Sequence, residues 1–174
     1  MRQITSTITV AMALLMSASV ALADDAADFL PNAMQTSMAQ VELAKLAQKN
    51  AQSSGVNALG VRLQRDHARI GKILETVAQQ KGVTTPVSLD GSRRAVIDAL
   101  SDKTGAEFDA AYTMQMVTDQ QKAIALFTAA ADSGDPELGK IAKLALPTLR
   151  EDEHLADSFA KLNPNYNVQA VARR

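Results

Sequence analysis

No cysteine occurs anywhere in the 174 residues, and tryptophan is also absent. Without cysteine there can be no disulfide, no thiolate nucleophile and no thiolate metal site, so the fold must be held by its core alone. Aromatic residues make up only 3 % of the chain. The apolar side chains are therefore mostly Ala, Leu, Ile, Val and Met, which suit close helix packing better than a sheet sandwich. An excess of charge of one sign is missing as well: 18 basic residues stand against 19 acidic ones. That balance offers no basic face for nucleic acid and no polybasic patch for a membrane. There is no G-x-S-x-G elbow, no glycine-rich phosphate loop, and no histidine with an acid partner near a serine. The sequence thus reads as non-catalytic rather than enzymatic.

The N-terminus carries the pattern of an export signal. Arg2 supplies a positive start, Ile8 to Val20 is apolar, and Ala21-Leu22-Ala23 is a small-x-small cleavage site followed by Asp24-Asp25. Cleavage after Ala23 is expected, with delivery to the periplasm or beyond. The rival reading is an uncleaved N-terminal anchor, although the apolar run is short for a membrane span. No cysteine follows the cut that could carry an acyl anchor. Removal of residues 1–23 takes away one basic residue of the 18 and leaves 17 against 19 acids, a net charge of −2. The remaining length suits one domain with a real core. The expected division is a signal peptide over 1–23, a helical domain over 24–162 and a flexible polar tail over 163–174.

Apolar residues recur at helical spacing through the rest of the chain. A first helix is expected from about Leu30 to Ala51, with Met34, Met38, Val41 and Ala44 inward and Ser53-Ser54-Gly55 as its stop. A second is expected from about Val56 to Gln80, with Leu59, Leu63, Ile70, Ile73, Leu74 and Val77 inward and Lys81-Gly82 at its end. After a loop, Ser92 is a plausible N-cap for a short helix, Arg93 to Ser101. A third long helix follows from about Ala106 to Ala131. The clearest boundary is Ser133-Gly134-Asp135-Pro136-Glu137, where Asp135 caps a fourth long helix, Pro136 takes its first position and Glu137 meets the dipole. This helix carries Leu138, Ile141, Leu144, Leu149, Leu155 and Phe159, and Pro147 is expected to kink or break it. No strand-like alternation competes. The expected fold is all-α: a ferritin-like four-helix bundle with a short extra helix in the crossover between the second and third long helices.

Candidate site residues come from a near-repeat. Gln64 to Leu74 returns as Val117 to Phe127, so that Asp66 matches Asp119 and His67 matches Gln120. A duplicated helix-hairpin unit would explain it. Asp is a poor mid-helix residue, and both aspartates lie beside an apolar stripe. They could face each other across the bundle. The commoner alternative is ion pairing on the flank, Asp66 with Arg62 or Arg69 and Asp119 with Lys122. Di-metal carboxylate bundles use a Glu from each of two helices and Glu-x-x-His from each of the other two. Only Glu151-Asp152-Glu153-His154 supplies that motif here, and the apolar stripe of its helix turns Asp152 inward and His154 outward. Glu42 would be the first-helix carboxylate, at the edge of its stripe. A reduced metal set would be Asp66, His67, Asp119 and Asp152, suited to a divalent transition metal. Met34 and Met38 with His67 could instead hold Cu(I), although methionine at that spacing is ordinary core filler.

Five motifs in order resemble the exported bacterial family named domain of unknown function 4142. They are Val41-Glu42-Leu43, Arg65-Asp66-His67, Phe108-Asp109-Ala110-Ala111-Tyr112, Met116-Val117-Thr118-Asp119-Gln120 and Leu146-Pro147-Thr148-Leu149. The resemblance runs from about Phe29 to Leu162. It implies a ferritin-like four-helix architecture and no established activity. Gln120 stands where the family pattern has His, and Asp152 takes the position of the fourth-helix His, with His154 displaced by two. The resemblance thus implies that a paired metal site, if the family has one, has decayed in this chain. The resulting expectation is an exported helical-bundle protein with a non-catalytic interaction or stress-related role. It would have an unidentified protein or envelope partner, no resident cofactor, no nucleic-acid partner and no membrane span after cleavage. The alternative is a ferritin-like metal-binding protein with the reduced Asp/His set.

Overall fold

A computed structural model describes the backbone of residues 8–163 and the side chains of residues 26–163. The expected cleavage point after Ala23 and the expected tail from Pro164 onward lie outside the residues whose side chains are described. The elements run α1 (Ile8–Asn50), α2 (Ser54–Lys81), α3 (Gly91–Ser101), α4 (Gly105–Asp132) and α5 (Pro136–Ala160). Among the described residues there is no strand, only an isolated bridge between Ala51 and Gly105. No helix there is long and apolar enough to cross a membrane.

Local signals set most of the boundaries. Ser53 caps α2 by accepting from the amides of Gly55 and Val56 at 3.2 and 3.4 Å. Gly82 ends it in the left-handed region at φ 66°, where a side chain would be strained. Asp135 caps α5 as expected, accepting from Glu137 and Leu138 at 2.8 and 3.1 Å, and it also takes the ammonium of Lys81 at 2.7 Å.

Several expectations need correction. α1 starts well before Leu30, taking in the Ala-rich Asp24–Asp28 segment, and it runs through Pro31. The cap of α3 is Asp90, whose carboxylate accepts the Arg93 amide at 2.8 Å; Ser92 lies one step inside and donates its hydroxyl to Asp90. Pro147 does not break α5, which is continuous from Pro136 to Ala160. Pro147 and Lys143, the residue whose carbonyl loses its helical partner to the proline, are both exposed. Leu144 and Ile73 also face outward, with relative exposures of 61 % and 37 %. On α1, Met38 and Val41 are only half-buried, while Ala33, Ser37, Gln40, Ala44 and Ala47 turn fully inward.

Helix directions follow from contacts along each pair. α1 and α4 meet at Phe29–Phe127 and at Gln40–Asp119, and Asn50 at the end of α1 donates to the Lys103 carbonyl just before α4, so they are antiparallel. α2 and α5 meet at Arg62–Asp152, Arg69–Thr148 and Lys81–Asp135, also antiparallel. The two hairpins, α1/α2 and α4/α5, hold the most extensive packing. This is the up-down-down-up arrangement of a four-helix bundle with one long crossover. The segment containing α3 carries the chain from one end of the bundle to the other. It is fastened to α1 by the Arg93 guanidinium on Asn32 and Thr36 and by Gln35 on the Ser88 carbonyl. Ile97 and Leu100 of α3 are buried.

The same geometry revises the reading of the repeat. α2 and α4 lie diagonally across the bundle and run parallel, whereas a hairpin duplication at that spacing would carry α1 onto the crossover rather than onto a long helix. The repeat therefore covers a single helix.

The core is divided in two. One apolar cluster takes Phe29 to Met34, Ile70 to Ala78, Ala123 to Ala130 and Leu138 to Leu149. The other takes Leu43 to Ala47, Val56 to Leu63, Ile97 to Val117, and Ala156 with Ala160. All four long helices interrupt their apolar stripe between the two clusters. The buried polar residues in those gaps are Ser37 and Gln40 on α1, Asp66 and His67 on α2, Gln120 on α4 and Asp152 on α5.

Candidate functional site

This polar layer at mid-height is the candidate site. Its centre is His67, which is 1 % exposed and meets Gln120, diagonally opposite and fully buried, with Nε2 to Nε2 at 2.9 Å. With the amide nitrogen of Gln120 facing it, His67 Nε2 accepts, and Nδ1 carries the ring proton. Burial drives the histidine pKa down to about 4, against the Gln120 contact and the Asp66 charge, which push the other way. The ring is therefore neutral at physiological pH.

Asp152 is fully buried, and its Oδ1 accepts from Arg62 Nε at 2.7 Å. Burial raises its pKa to about 6; the Asp66 charge adds to this, and Arg62 and Arg65 oppose it. Asp66 takes Arg65 on both oxygens at 2.9 and 3.0 Å and lies 3.6 Å from Arg62 Nε. Arg62 thus joins the carboxylates of α2 and α5. Asp119 is half-buried and points the other way, accepting from Gln40 Nε2 at 3.0 Å and Gln115 Nε2 at 2.8 Å. Burial raises its pKa also, and the amides, Lys122 and Arg93 pull against it. Tyr112 lies fully buried against Phe108, and burial beside the Asp119 and Asp152 charges raises its pKa.

Five buried atoms in and near this layer lack a protein partner: Gln40 Oε1, His67 Nδ1, Tyr112 Oη, Gln120 Oε1 and Asp152 Oδ2. Leaving such a group unpaired costs about 1–3 kcal/mol. An apolar layer would hold the bundle together at least as well, so stability alone does not account for these residues.

Of the residues singled out by sequence, the structure joins Asp66 and Asp152 through Arg62, seats His67 on Gln120 and turns Asp119 toward Gln40 and Gln115. Among the described residues, no three His, Asp or Glu side chains come together as a metal would require. The donors that a di-metal centre would use are already turned onto amides and guanidinium groups, so the residues present do not fit such a centre. Met34 sits within an apolar cluster, in the role of core filler. His154 is exposed and Asp152 inward, as the α5 stripe implied. Sequence reading missed Gln115, and it also missed Gln40. Its signal was a stripe of small residues, Ala33, Ser37, Ala44 and Ala47, in register with it, which the larger Met38 and Val41 obscure.

Fold and site together define a ferritin-like bundle whose mid-height layer is built from amide, imidazole and ion-paired carboxylate groups. Over residues 11–159 the chain matches the family described as a domain of unknown function, DUF4142, and it belongs to that family. Its fold is also that of the crystal structure of a DUF305 fragment from Deinococcus radiodurans, with a TM-score of 0.71 at 16 % identity. The likeness covers 80 % of this chain and 97 % of that one. No curated protein matches the chain.

Proposed function

We propose that this is an exported, non-catalytic helical-bundle protein that acts in the periplasm through contacts with a protein or envelope partner. The observation that carries this reading is the internal pairing of the polar layer: His67 with Gln120, Asp152 and Asp66 with Arg62, and Asp119 with two glutamine amides. Groups paired in this way are turned away from chemistry and toward holding one arrangement of the four helices. The export part rests on the Arg2, apolar and Ala21-Leu22-Ala23 pattern.

A second reading, binding of a divalent transition metal at Asp66, His67, Asp119 and Asp152, draws on one observation: His67 Nδ1 and Asp152 Oδ2 are buried without a protein partner. Elemental analysis of protein isolated from its own periplasm without chelator separates the two. The non-catalytic reading expects substoichiometric metal in both wild type and His67→Ala, together with a mass that begins at Asp24. Stoichiometric metal that disappears in His67→Ala would replace it with the metal reading. A mass that retains residue 1 would remove the export claim while leaving the rest in place.

A further inference from the structure

The crossover covers one seam of the bundle and leaves the opposite one open. α3 lies over α1 and α4 and buries Ile97 and Leu100 there. Among the described residues no segment covers the seam between α2 and α5. Ile73 and Leu144 are exposed there, and both line an apolar hollow of about 160 Å³. We propose that this seam is covered by the same seam of a second copy of the chain, in a two-fold dimer whose axis runs along the bundle.

The division of charge between the two helices selects this occupant. Arg62, Arg65, Arg69 and Lys72 recur at three and four residues and form one basic line along α2. Arg62 reaches Asp152 and Arg69 reaches Thr148, so the line follows the edge next to α5. On α5, Leu144, Thr148, Glu151 and Leu155 form the facing line, which holds an acid and no base. Arg62 and Arg65 are engaged by Asp152 and Asp66. Arg69, Lys72 and Glu151 are exposed and enter no ion pair among the described residues. The open seam thus leaves unpaired cations on α2 and an unpaired anion on α5.

A two-fold interface pairs a surface with itself. An axis along the bundle lays α2 of one copy over α5 of the other at equal height. The contacts Arg62–Asp152 and Arg69–Thr148 fix those heights. Ile73 then lies level with the partner's Leu144, and Arg69 within a turn of the partner's Glu151. Helical side chains lean toward their own N-terminus, so on antiparallel helices these two lean toward each other. An axis across the bundle would instead lay α2 over α2 and set Arg65, Arg69 and Lys72 against their own copies, a like-charge contact. An anionic membrane would suit the α2 line but repel Glu151. The extent is also sufficient. α2 has 28 residues, and two such helices side by side present a face of roughly 40 by 20 Å, about 800 Å² per partner, the size of a standard interface.

This inference goes beyond the interaction role and does not depend on export. The test is sedimentation velocity of the whole protein over a dilution series. The wild type should be a dimer at micromolar concentration. Leu144→Lys, Arg69→Glu and Glu151→Arg change exposed positions, so each should keep the helical signal in circular dichroism. Each change occurs twice in the dimer, and each should weaken association at least tenfold. The double variant Arg69→Glu/Glu151→Arg should recover wild-type association to within about threefold, because the pair is restored with its signs exchanged. A general loss of stability would show no such recovery. A wild type that stays monomeric, association unchanged in all three single variants, or a double variant as weak as the single ones would each overturn the proposal. A wild-type monomer that cosediments with phosphatidylglycerol vesicles, and no longer does so as Arg69→Glu, would overturn it in favour of a membrane surface.

Discussion

His67 and Asp152 pull the stability of the bundle in opposite directions as pH falls. The folded-state pKa of His67, about 4, lies below the ordinary 6.5. The unfolded chain therefore takes up the proton first, and the benefit of the neutral buried ring, full above pH 6.5, is lost down to about pH 4. The folded-state pKa of Asp152, about 6, lies above the ordinary 3.8. Its buried charge is unfavourable above pH 6, and that cost is relieved as pH falls toward 3.8. Each effect is worth about 3 kcal/mol, so in the wild type they largely cancel. In Asp152→Asn the relief is absent. Relative to wild type, its unfolding free energy should drop by about 3 kcal/mol between pH 6 and pH 4. His67→Gln should move the opposite way over the same range. Urea unfolding at a series of pH values checks both, and a pH-independent difference would mean that Asp152 or His67 is not held in its buried form. These residues were legible as candidates because Asp and His are unusual beside an apolar stripe. Their partners were not, because which helices lie diagonal to one another is a property of the topology and not of any local pattern.

At the scale of helices, the α1/α2 hairpin closes around Gly60. A Cβ there would stand 2.8 Å from Ala47 Cβ and 3.0 Å from the Ala44 carbonyl oxygen. Neither neighbour can rotate away, so the helices would have to part. Gly60→Val should cost about 3 kcal/mol, the upper range of overpacking. Gly91, at the first position of α3, meets nothing within 4 Å. Gly91→Ala should be neutral or stabilise by up to about 1 kcal/mol, because the alanine restricts the unfolded chain. Thermal unfolding of the two variants makes the comparison. The same contrast explains what the sequence disclosed about the elements. Signals such as Asp135 at the start of α5 and Gly82 at the end of α2 act within a few residues and could be read directly, whereas Ser53 was read as the stop of one helix and not as the cap of the next. The inward face of α1 could not be read, because Gly60 admits a stripe of alanines where larger side chains would normally mark the core. Pro147 misled because the lost hydrogen bond is a local cost, and it falls at an exposed position of a helix whose other face is buried along its length.

For the whole molecule, the family match and the shared fold agree with the helical pattern read from composition and spacing, since a chain with few aromatics and four long apolar stripes has few other ways to bury them. The division into two apolar clusters was not readable, because it depends on four separate interruptions falling at one height. The topology that brings them there also bears on how the chain folds. Each hairpin forms from neighbours in sequence, while every cross-hairpin pair of the layer, from Gln40–Asp119 to Arg62–Asp152, joins residues far apart along the chain. Local pairs close first and distant ones late, so dehydration of the layer belongs on the native side of the folding barrier. Gln120→Leu and Arg62→Met should then alter the unfolding rate and leave the folding rate nearly unchanged, as stopped-flow chevrons would show. The layer would then act less as a foundation than as a latch, set after the two hairpins have met and governing how long they stay together.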